Sequence, residues 1–83
     1  MSLQDQIKQL NAHPNDDVAN WAADAYDYQE KFQAGQLSAE EYNELVGDLK
    51  DSSAISAAAD DLQTQELMYT VIEGLIALAS AAV

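Results

Sequence analysis

The residues most able to do chemistry in this sequence are its 15 carboxylates. Asp24 with Asp27, Glu41 with Glu44 and Asp60 with Asp61 offer paired oxygens of the kind that hard divalent cations take. None of these spacings is that of a calcium loop, which needs alternate ligands, a central Gly and a terminal Glu. No Glu-x-x-His pair of the di-iron bundle type occurs, and the single histidine, His13, precedes Pro14 in a turn with no nucleophile motif nearby. His13 therefore reads as a structural residue. Gly35, Gly47 and Gly74 stand alone, so no phosphate-cradling loop is formed. Trp21, Tyr26, Tyr28 and Phe32 could stack on nucleobases, but such platforms work together with cations that hold phosphates. These residue types point to no catalytic residue, no metal site and no cofactor, and the expectation is a non-enzymatic protein.

The charge balance sharpens that expectation. The chain has 83 residues, three Lys, no Arg and a formal net charge of -12. Direct binding to nucleic acid or to an anionic membrane surface is disfavoured, and basic partners are attracted at long range. There is no Cys, hence no disulfide framework and no thiolate site. A single core of this size supplies only about 3–5 kcal/mol, so a homo-oligomer is expected. The first residues lack the basic and apolar pattern of a signal peptide, which predicts a cytoplasmic protein.

The elements that position these side chains are helical. Ser2 and Asp5 mark a helix start, Leu3, Ile7 and Leu10 form its stripe, and His13-Pro14 ends it, giving a helix over about 2–11. Asn15, Asp16 and Asp17 open a second helix over about 16–34. In it, Val18, Trp21, Ala25, Tyr28 and Phe32 recur at spacings of three and four, and Gly35 stops it. Ser38 with Glu41 is a capping box for a third helix over about 39–51, whose apolar face is Tyr42, Leu45, Val46 and Leu49. The short link Gly35-Gln36-Leu37 favours an antiparallel hairpin.

Asp51-Ser52-Ser53 breaks the chain before a last helix over about 55–82. Asp60 and Asp61 could start a new helix inside it, but Ala57, Ala58 and Ala59 favour one continuous element. Its apolar residues span roughly 200° of arc, against the ~100° of an ordinary surface helix. Such a helix must be covered on two sides. The hairpin is expected to cover one, and a second copy or another protein the other, through Met68, Val71, Leu75, Ile76 and Leu78. A membrane span is disfavoured, since the run from Leu67 to Val83 is short, contains Glu73 and has no basic flank.

The segment from Tyr28 to Leu45 carries a helix, an Ala-Gly-Gln-Leu-Ser turn and then Ala-Glu-Glu-Tyr. It resembles the short helical hairpins of small bacterial and phage proteins, some of which are oligomerisation modules. Small size, acidity and the lack of catalytic motifs also resemble accessory proteins of tailed bacteriophages. The fold class expected is all-α, a bundle of three to four helices in which the first helix caps one end of the core. The leading function is an assembly or protein-interaction module that self-associates through its last helix. The alternative is an acidic inhibitor that imitates the phosphate array of DNA and binds a basic host protein. Its contact surface would be Asp16, Asp17, Asp24, Asp27, Glu40, Glu41, Glu44 and Asp48.

Overall fold

Capping and turn residues set most of the helix limits. The computed structural model describes residues 2–58 and 61–81. Its helices are α1 (Leu3–Asn11), α2 (Asp16–Gln33), α3 (Ala39–Lys50), the short α4 (Ser53–Ala57) and the long α5 (Leu62–Ala81). No strand occurs among the described residues, and the chain is an all-α bundle as the sequence pattern predicts.

Ser2 Oγ accepts from the Asp5 N–H at 3.2 Å, and Asn15 Oδ1 accepts from the Asp17 N–H at 2.9 Å. Each satisfies a donor that a helix start leaves open. Ser38 and Glu41 form the full capping box, with the Glu41 N–H on Ser38 Oγ at 3.1 Å. Gly35 turns the chain at φ 77°, a conformation that costs glycine nothing. The Gly35 and Gln36 N–H groups bond back to the Phe32 and Lys31 carbonyls, which closes α2 in a Schellman motif.

One boundary differs from expectation. A single helix over 55–82 is replaced by α4 and α5, with Ala58 in a turn between them and Asp60, Ala82 and Val83 outside the described residues. Asp61 decides the matter. Its Oδ1 accepts from the Thr64 N–H at 3.2 Å, its Oδ2 accepts from Thr64 Oγ1 at 2.7 Å, and its own N–H bonds to the Ala58 carbonyl. A cap contributes about 1 kcal/mol, more than the few tenths per residue by which Ala exceeds other helix formers. The break also lets α4 turn back onto α2, burying Ala54, Ile55 and Ala58.

The hairpin runs antiparallel, because Phe32 near the end of α2 stacks on Tyr42 early in α3 while Trp21 reaches Leu49 late in α3. The Phe32 and Tyr42 ring centroids are 4.3 Å apart. Trp21 Nε1–H donates to the Leu49 carbonyl at 2.9 Å, and Tyr42 Oη–H donates to the Leu75 carbonyl at 2.8 Å, tying α3 to both neighbours. Tyr42 is fully buried, and that burial pushes its hydroxyl pKa up to about 12.

The first helix does not cap an end of the core. It lies along both α2 and α5. Leu3 packs on Gly74, where an added Cβ would come within 2.8 Å of Leu3 Cδ1, and Leu10 sits beside Thr64 and Leu67. These two contacts run α1 antiparallel to α5 and make it a side wall of the bundle.

Candidate functional site

The five residues expected at an interface do not share one environment. Met68, Val71 and Leu75 have no exposed surface at all. Leu78 is half-buried, and only Ile76 is exposed, at 46 %. The cause is physical: α1 and α3 both pack on α5 and cover the stripe that a second copy was expected to cover. Met68, Val71 and Leu75 belong to the interior, where they meet the core residues Ile7, Leu10, Val18, Trp21 and Tyr42. They can reach another chain only if the bundle opens.

The apolar surface that remains is a different row on the same helix. Among the described residues, Leu62, Tyr69 and Ile76 are the large apolar side chains left exposed, at 67 %, 45 % and 46 %. Their spacing of seven places them on one face, over roughly 21 Å of helix at 1.5 Å per residue. Two charged residues occur in α5, Glu66 and Glu73, and both border this row. Helical periodicity in the sequence already puts Leu62 and Tyr69 on one face with Ile76, but width of apolar arc alone does not tell a covered side from an open one.

Beside Ile76 lies a groove of about 430 Å³ between α3 and α5, lined mainly by carbon. Ala39, Asn43, Gly47 and Lys50 form its α3 wall, and Ile76 and Ala79 its α5 wall. Gly47 sits inside α3, yet an added Cβ there would meet no atom of the described residues within 4 Å. Its small size serves no packing among the described residues.

All eight carboxylates of the alternative surface are exposed. The structure brings three of them together: Asp17, Asp24 and Asp48 rim a cleft of about 230 Å³ whose apolar floor includes Trp21, Leu49 and Ala54. Tyr28 lines the same cleft, and its hydroxyl pKa is raised, first by burial and then by the negative charge of Asp24, Asp48 and Asp27. The other five are apart from this cleft. Asp27 pairs with Lys31 at 3.0 Å, Glu41 is held by the capping box, and Asp16, Glu40 and Glu44 face solvent elsewhere on the hairpin.

His13 has a defined part. Its Nδ1 accepts from the Asn15 N–H at 3.0 Å, so in the neutral ring Nε2 carries the proton. Nε2 lies 3.3 Å from Thr64 Oγ1 and 3.7 Å from Asp61 Oδ2. The Thr64 hydroxyl gives its proton to Asp61 rather than to His13. The wiring fastens the α1–α2 turn to the start of α5, and a proton on Nε2 leaves that nitrogen unable to act as a base toward Thr64. The Thr64 hydrogen bonds hold the Asp61 carboxyl below the usual carboxylate range, with His13 adding less.

Among the described residues no three His, Asp or Glu side chains converge as metal ligands, and no helix is long and apolar enough to cross a membrane. No family model, curated protein or solved structure matches this chain.

Proposed function

We propose that this chain is a non-enzymatic assembly module that self-associates through the outward face of α5. The observation that carries the reading is the row Leu62, Tyr69 and Ile76, exposed at a spacing of seven on a long helix with two charges. Large apolar side chains exposed in a row on one helix face are candidates for burial against another chain. The rest of the surface is acidic, which keeps copies apart except where carboxylates are sparse. An accessory role of the type taken by small helical phage proteins is consistent with this reading.

Mass in solution tests it, measured by light scattering over a concentration series at low and high salt. Association through an apolar face persists or strengthens as salt screens the mutual repulsion of two chains of charge -12. Ile76→Asp is expected to give a monomer with an unchanged helical signal. A wild-type chain of 9.0 kDa at every concentration refutes the reading.

A second reading draws on the cleft edged by Asp17, Asp24 and Asp48. There the chain would bind a basic protein, as an acidic inhibitor imitating DNA does, and the complex would weaken steeply with salt. It ranks second because five of the eight carboxylates expected to form its contact surface lie away from that cleft.

A further inference from the structure

We infer that the groove between α3 and α5 is the receiving half of the self-association surface, and that it takes Ile76 of a second copy in a two-fold pair. The inference rests on the assembly reading above and adds where the partner's side chain goes. Three observations carry it. The groove is a hole of about 430 Å³, and Ile76, a 46 % exposed knob, stands on its rim. A two-fold interface places the same patch on both chains, so knob and hole must occur together on one surface. Secondly, Gly47 lines the hole and its missing Cβ makes way for nothing among the described residues of its own chain. A glycine inside a helix is destabilising relative to alanine, and close approach by another chain is one of its physical uses.

The third observation is charge, and it favours a copy over a basic partner. The one charged residue lining the groove is Lys50, which makes no ion pair among the described residues. A basic partner would be repelled there and drawn to the carboxylates of the hairpin instead. An acidic partner complements Lys50, and a second copy brings Glu73, exposed one turn before Ile76. The pair is reciprocal: Lys50 of each chain faces Glu73 of the other.

The test is sedimentation equilibrium from about 1 μM to about 1 mM on the whole chain. The wild type is expected to reach twice the 9.0 kDa chain mass. Gly47→Leu grows a side chain into the hole, and is expected to weaken the dimer at least ~10-fold while the helical signal holds and the monomer melts no lower than the wild-type monomer. Lys50→Glu is expected to weaken it about 3–10-fold, and adding Glu73→Lys to restore it. A dimer that Ile76→Asp dissociates, but that Gly47→Leu and Lys50→Glu leave intact, overturns the groove and spares the assembly reading. A wild-type monomer throughout overturns both.

Discussion

The two sides of α5 meet their neighbours in opposite ways. Toward α1 the fit is tight: Gly74 gives Leu3 its seat, with 2.8 Å between Leu3 Cδ1 and the point where a Cβ would stand. Toward the outer edge of α3 the fit is open, with a groove of about 430 Å³ and, among the described residues, no atom within 4 Å of a Cβ at Gly47. Both contacts use a helix-interior glycine. One is used up within the chain and the other is not. A helix glycine thus marks close approach only when something stands opposite it, and the sequence pattern does not say which glycine that is.

Charge placed on either side should break the comparison most sharply. Leu75 has no exposed surface, and Leu75→Asp would bury a carboxylate among Tyr42, Val46 and Met68 in the core. The cost is several kcal/mol, on the order of the whole stability of a domain this small, so the variant is expected to be unfolded at 25 °C. Ile76→Asp, one residue later, should melt within a few degrees of the wild-type monomer, because its side chain reaches solvent. Circular dichroism melts of the two variants decide this. Equal loss of helix in both would mean that the outer side is as closed as the inner one.

That contrast also measures what was legible in the sequence. The hairpin was readable because its signals are local: Asn15, Ser38 with Glu41, and Gly35 act on backbone groups within four residues. The break before Leu62 was not, since the Asp61 cap competes with an Ala-rich run and the packing of α4 on α2 is long-range. The interface residues were the hardest. Met68, Val71, Leu75 and Ile76 are all apolar at helical spacing, and the paths of α1 and α3 across α5 decide which of them stay covered. The acidic residues were legible as a solvated surface, but the gathering of Asp17, Asp24 and Asp48 around one cleft depends on how the hairpin closes.

A smaller effect sharpens the closed side through Tyr42, the hydroxyl that binds α3 to α5. Tyr42→Phe removes its hydrogen bond to the Leu75 carbonyl and should cost about 1 kcal/mol at neutral pH. Its larger signature is pH dependence. A tyrosine in the unfolded chain ionises near 10, roughly, and folded Tyr42 near about 12. The fold holds the neutral form, so the contribution is fully present below the unfolded pKa and declines as pH rises through the folded one. Wild-type stability is therefore expected to fall between those two values, and Tyr42→Phe to flatten that fall. Tyr28, raised by burial and by Asp24, leaves a remainder. Urea denaturation at a series of alkaline pH values measures the slope, and an unchanged slope in the variant would place the titration elsewhere.

The smallest effects compare the two glycines directly. Alanine is favoured over glycine inside a helix by about 1 kcal/mol. At Gly47 none of the described residues opposes the new methyl group, so Gly47→Ala should raise the stability of the monomer by about that amount. Gly74→Ala gains the same helix propensity but must displace Leu3 Cδ1 from 2.8 Å. That atom is the end of a flexible side chain, so α1 stays in place at the cost of a shifted Leu3 rotamer, and the net gain should be smaller than at Gly47. Urea denaturation at a concentration where the chain is monomeric separates them. A larger gain at Gly74 than at Gly47 would mean that α1 is loosely seated, and that the tight and open sides of α5 had been assigned the wrong way round.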